Sequence, residues 1–205
     1  MMTPTASPLK SRRKPVQQRS KMTQTAILDA FVRLLVEKGY VGLTIRDIAL
    51  VAGVGLGTVY EYFPSKKSIA AHCIHQRFKG VGVRMLACIE EKRGCPLPEM
   101  ASDILDGMLK MHAQNVAEWS ALIFLERQIS DPLAYHALYQ HIVDIWSQAF
   151  VASGDSGQYV GKSPDVVHAA VYGLLYQRLM TAPKTVPENE FRQQLRSLVL
   201  GYLLS

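Results

Sequence analysis

No part of this sequence stays apolar for long. Hydrophobic residues make up 48% of its 205 positions, but charge breaks every run well short of the roughly 20 residues needed to cross a bilayer. The basic N-terminus is followed by no apolar signal segment and no cleavage pattern, so the expectation is a soluble, cytoplasmic protein. Cysteine is scarce as well. Cys73, Cys88 and Cys95 lack the close spacing of a zinc site, and their odd number argues against a closed disulfide framework. His72 and His75 flank Cys73, so a metal or redox role stands beside the plainer reading of reduced cysteines on a helix. The alternation of a β-strand is missing, and so are internal repeats. Equally absent are paired acids, a nucleophile with its base, and a glycine loop that would cradle a phosphate. These gaps argue against an enzyme: no catalytic residue, metal ligand or cofactor is expected.

One sign of charge is missing from the start of the chain. Residues 1–28 carry six basic side chains (Lys10, Arg12, Arg13, Lys14, Arg19 and Lys21) and no acid. The other 177 residues hold 17 basic and 17 acidic groups, so the whole formal charge of +6 belongs to this end. Rich in Thr, Ser, Pro and Gln, residues 1–20 read as a flexible basic arm. Such an arm either improves solubility or touches phosphate and the minor groove of DNA.

What is present is helical periodicity. Ile27, Phe31, Leu34 and Leu35 fall on one face of a first helix, which Gly39 stops. Thr44 and Asp47 form a capping pattern for a short second helix, and Gly53 permits a sharp turn. A third short helix runs from about Gly55 to Tyr62. Pro64 then disfavours helical geometry at Phe63, and Ser65 caps a fourth helix from Lys66 to about Lys92. Further helical segments cover about 99–117, 120–129, 132–151, 164–180 and 188–204, and the glycine-rich stretch 153–163 reads as a flexible loop. The fold class is all-α.

Short helices joined by tight turns suggest a helix-turn-helix over residues 44–63. Ala49 is small where two helices cross, and Ile48, Val54 and Val59 supply apolar anchors. That crossing angle matters because the second helix of such a unit must enter a major groove about 12 Å wide. The ordered run Gly-Val-x-x-Gly-Thr-Val-Tyr-x-Tyr-Phe-x-Ser-Lys at Gly53–Lys66 resembles the TetR family of transcriptional regulators, and residues 21–80 are similar to that family's DNA-binding domain. The resemblance implies that Thr44, Tyr60 and Lys66 hold phosphates and that Arg46, Gly55, Leu56, Gly57, Thr58 and Tyr62 lie at or near the groove. Hydroxyls, an ammonium and helix-start amides are suitable phosphate donors, and Gly57 lets the backbone come close to DNA. Gly55 departs from the family, which commonly has Ser at this cap.

The resemblance further implies a nucleoid-associated bacterial repressor that binds a double-stranded operator and is released by a small-molecule effector. Residues 81–205 would form the effector-binding and dimerisation domain. The last two helices offer Val167, Ala170, Val171, Leu174 and Leu179, then Phe191, Leu195, Leu198 and Tyr202, as stripes for a homodimer. Met108, Met111, His112, Asn115, Trp119, Glu126, Tyr139 and Trp146 mix apolar walls with a few polar groups, as an effector pocket requires. Two other readings stay open: an all-helical enzyme carrying a chance helix-turn-helix, and a DNA-binding protein governed by a protein partner or by no ligand. A closed apolar cavity favours the effector; a filled core counts against it.

Overall fold

The computed structural model describes residues 13–181 and 188–205. Among these residues the chain is all-α, with helices α1 (Arg13–Gly42), α2 (Ile45–Ala52), α3 (Leu56–Tyr62), α4 (Lys66–Glu91), α5 (Leu97–Gln114), α6 (Val116–Ile129), α7 (Pro132–Ala152), α8 (Pro164–Thr181) and α9 (Glu188–Leu204), and no strand. The bounds follow local signals. Gly39, at φ 70°, breaks α1 before its last three residues, and Gly53, at φ 67°, lets its own N–H close the end of α2. Ser65 accepts a hydrogen bond from the Ser68 amide, and the Ser68 hydroxyl in turn accepts one from the Ser65 amide, so α4 begins with a reciprocal cap.

The α1 face read from periodicity is buried: Ile27 and Phe31 are fully inside, with Leu34 and Leu35 beside them. With α2 and α3 it makes a small three-helix unit whose centre is Ile48, Val59 and Phe63. Two helices tie this unit to the rest. α1 packs on α6, while α4 leaves the unit and packs on α5, α6 and α7; α8 then packs on α6, α7 and α9. Trp119 and Trp146 are fully buried in this larger part, where truncating either indole to Ala costs about 3–5 kcal/mol.

Three expectations are corrected. α1 reaches back to Arg13, so residues 13–20 of the supposed arm are helix, whereas 1–12 lie outside the described residues. The 153–163 stretch contains a 3₁₀ turn at Ser156–Tyr159 and is pinned rather than loose. The Leu97 amide donates to Asp155 Oδ1 at 2.9 Å, and the buried Tyr159 hydroxyl donates to Asp155 Oδ2 at 2.6 Å. Amide bonds from Gly94 to Ala152 and from Gly154 to Cys95 stitch the two loops so closely that a Cβ on Gly154 would stand 2.2 Å from the Gly94 oxygen.

The third correction concerns the dimer stripes. Val167, Val171, Leu179, Phe191 and Leu195 are all buried within this chain, because α6, α7 and α5 already cover them. The faces left outward carry Val166, Ala169, Gly173 and Leu174 on α8, and Leu198 and Gly201 on α9. Of the expected residues only Leu174 and Leu198 stay exposed, while Ala170 and Tyr202 are half-buried.

Candidate nucleic-acid interface and regulatory core

Helix α3 is held by few of its residues. Val59 anchors it, and the hydrophobic residues Leu56 and Tyr60 are exposed, Tyr60 by 52%. Gly55 starts α3 in an extended conformation and offers no side-chain cap, so the first amides of the helix are left for an outside acceptor. A Cβ on Gly57 would meet nothing within 4 Å, so packing inside the chain does not require glycine there. Thr58 is half-buried, and Arg46 is exposed on the first turn of α2. Leu56, Gly57 and Tyr60 thus share one exposed helix, with Gly55 at its start.

Three expected contacts are differently employed. The Thr44 amide and hydroxyl both donate to Asp47 Oδ2, at 2.9 and 2.8 Å, while the Asp47 amide donates to Thr44 Oγ1 at 3.1 Å. These bonds, the Thr44 side chain first, hold the Asp47 carboxyl below its ordinary range, and Lys38 lies 3.4 Å from its other oxygen. Thr44 is therefore a cap whose donors are already used. Lys66 Nζ donates to the carbonyls of Tyr40 and Leu43 at 2.8 and 3.0 Å and sits 4.4 Å from the centre of the Tyr40 ring. It clamps the α1–α2 connection to the start of α4, and the neighbouring Lys67 is the exposed ammonium. The Tyr62 hydroxyl donates to Ser20 Oγ at 3.0 Å, latching α3 to the helical stretch that holds Arg19 and Lys21. Ser20 and Lys67 were missed because nothing in their local pattern marks them.

In the regulatory part the expected pocket divides. Met108, His112, Trp119, Glu126 and Trp146 are buried, Met111 and Tyr139 are half-buried, and Asn115 is exposed at the end of α5. Met111, Asn115 and Trp119 line an open cleft of about 630 Å³ with Arg77, Arg84 and Glu118, where Arg77 is ion-paired to Glu118. Glu126 and Tyr139 instead line a small cavity of about 10 Å³ with Phe78, Leu138, His168 and Tyr172. His112 lies with its ring 4.1 Å from that of Trp119, and its Nδ1 is 2.6 Å from the Met108 carbonyl. That short distance assigns the N–H to Nδ1. Trp146 is packed in the core with its indole N–H unpartnered among the described residues.

His168, Tyr172 and Tyr176 went unread, although their spacing of four residues puts them on one face of α8. Tyr172 stands edge-on to Tyr139 at 5.7 Å and to Tyr176 at 4.4 Å. Burial lowers the pKa values of His112 and His168 to about 4, and raises that of Glu126. Cys73 is buried and its thiol is pushed up to about 12, so it is not a thiolate near neutral pH. Among the described residues no three metal-binding side chains gather, and no helix is long and apolar enough to cross a membrane.

A capped α2, an αL turn at Gly53 and an exposed α3 make a helix-turn-helix of the kind that presents its second helix to DNA. Residues 27–73 match the model of the bacterial regulatory proteins of the tetR family. By this segment the chain is similar to the TetR family, and its helical fold is like that of solved transcriptional regulators. It is 34% identical over 93 residues to an uncharacterized HTH-type transcriptional regulator in the lacX 3' region of Lactococcus lactis subsp. lactis, a match covering 45% of this chain and 47% of the relative. It is 37% identical over 76 residues to a fatty acid metabolism regulator protein of Bacillus subtilis, covering 37% and 38%. In both, the match spans less than half of the relative's length. The fold is similar to that of the transcriptional regulator FadR from Bacillus subtilis, solved in complex with stearoyl-CoA, with a TM-score of 0.72 at 19% identity over 87% of this chain and 98% of that one. These similar proteins are transcription regulators, not enzymes.

Proposed function

We propose that the protein is a sequence-specific transcriptional repressor that binds an operator as a homodimer and leaves it when a small molecule enters the regulatory core. The observation that carries this reading is α3, whose exposed Leu56, Gly57 and Tyr60 have no task inside the fold and lie on the helix latched to the basic start of α1. Arg46, Gly55, Thr58 and Lys67 are assigned to the same contact, with the lysine on phosphate. Thr44, Tyr62 and Lys66 support the interface from behind. The outward face of α8 and α9, with Leu174 and Leu198, joins two copies so that their α3 helices meet successive major grooves, about 34–36 Å apart. Operator binding places the protein on the nucleoid of the bacterial cytoplasm.

The relative solved with stearoyl-CoA makes a fatty acyl thioester one candidate effector, but the space beside Glu126 is only about 10 Å³ and is polar at one end. A filled interior favours the second reading, a regulator governed by a protein partner or by none. The unpartnered polar atoms of Glu126 and His168 favour an effector. Footprinting the purified protein on DNA upstream of its own gene tests the main reading. A protected palindrome is expected, weakening as salt rises. No protection at any salt concentration sinks it.

A further inference from the structure

We infer that the cavity between α4, α6, α7 and α8 is a subsite for an organic cation, an ammonium carried on a small hydrophobic body. This rests on the effector reading above and names the chemistry of its ligand. Glu126 is 3% exposed, and its Oε1 has no hydrogen-bond partner among the described residues. His168 is 3% exposed, with neither ring nitrogen partnered. A buried carboxylate oxygen without a partner destabilises the fold, a cost that a ligand able to answer it removes. Both side chains line the same cavity.

The sign of that ligand follows from what surrounds it. No Lys or Arg lines the cavity; its other walls are Phe78, Leu138, Ile142 and the rings of Tyr135, Tyr139 and Tyr172. Those three tyrosines lie within 5.7–6.4 Å of one another, with Tyr139 and Tyr172 edge-on. Aromatic faces attract a cation and repel an anion, and more strongly where water is excluded. His168 is neutral near pH 7 because burial disfavours its charge, although Asp165 pulls the other way. Burial first, and Asp165 after it, raise the Tyr139 pKa, so Asp165 adds negative potential from the α8 side. The Arg127 guanidinium approaches Tyr172 from outside, is exposed, and makes no salt bridge to Glu126. An anion placed here would face the Glu126 carboxylate in a low dielectric, with only the solvent-exposed Arg127 acting against its charge.

Entry is built into the wall. Phe78 and Leu138 line the cavity on one side and, on the other, an open groove of about 270 Å³ with His75, Lys79 and His141 at its rim. The cavity as it stands is about 10 Å³, so a ligand of this size enters only by displacing Phe78 and Leu138, the two side chains shared by groove and cavity. Lys79 is exposed at that rim, where solvent and salt screen its charge. Phe78 belongs to α4, so a ligand that displaces it pushes on the helix clamped to the DNA-binding unit by Lys66.

The test uses the full chain without DNA and three probes of similar shape: benzyltrimethylammonium, its uncharged carbon isostere neopentylbenzene, and the anion phenylacetate. Calorimetric titration is expected to show the cation binding at least tenfold tighter than either of the others. Glu126→Gln, which keeps shape and removes charge, is expected to lose at least tenfold in cation affinity. Equal or tighter binding of the neutral or anionic probe overturns the inference, and so does binding by none of the three. An unchanged cation affinity in a folded Glu126→Gln does the same. Should that variant not fold, the three-probe comparison on the unaltered chain decides. Because DNA is absent, a failed footprint with intact cation binding faults the repressor reading alone.

Discussion

Two buried histidines make the stability of this protein fall with pH well above the range in which carboxylates titrate. His112 is 2% exposed and His168 3%, and burial lowers the pKa of each from 6.5 to about 4. A group whose folded pKa is depressed stays unprotonated in the native state while the unfolded chain takes up its proton. Its contribution is therefore complete above pH 6.5 and is lost as pH falls toward 4. With these two pKa values, linkage gives a loss of about 2 kcal/mol per histidine between pH 7.5 and pH 5, about 4 kcal/mol for the pair if they titrate independently. That is a large fraction of the 5–15 kcal/mol that usually holds a domain together. Glu126 works the other way: its folded pKa is raised, so its protonation at lower pH favours the native state and softens the fall. Urea melts at pH 7.5 and 5.0 and fixed ionic strength measure the difference. His112→Gln and His168→Gln are each expected to remove about half of the pH dependence, whatever they do to stability at pH 7.5. A wild-type loss below about 1 kcal/mol, or a double variant with the full loss, refutes the argument.

Thr44→Ala removes the reciprocal cap of α2 and is expected to cost about 1 kcal/mol in a urea melt. Weaker DNA binding at unchanged stability would return Thr44 to a phosphate. Lys66→Ala is expected to destabilise the chain through the two carbonyls it leaves unpaired, whereas Lys67→Ala leaves stability alone and lowers the slope of log affinity against log salt by about 1. Melts and salt titrations of the two variants separate these roles, and the reverse outcome would exchange the two lysines.

Much of the fold was legible because its punctuation is local. Gly39, Gly53 and Pro64 act on their own backbones, and the Thr44–Asp47 and Ser65 caps close within three residues, so helix limits can be read without knowing what packs where. The outward residues of α3 were legible for the same reason, since a short ordered motif holds them. What failed depends on partners far along the chain. Lys66 is a phosphate donor by its position in that motif, yet it is spent on carbonyls 23 and 26 residues upstream. Periodicity shows that α8 has an apolar stripe, but Val167, Val171 and Leu179 look alike whether α6 and α7 or a second subunit covers them. The opposite error hid His168. Its α8 stripe continues through Tyr172 and Tyr176 and is aromatic and polar rather than aliphatic, so it does not read as core at all. Yet it is His168 in this stripe, and not the aliphatic residues, whose burial leaves polar atoms unanswered, and an unanswered buried atom is a stronger pointer to a ligand than any apolar wall.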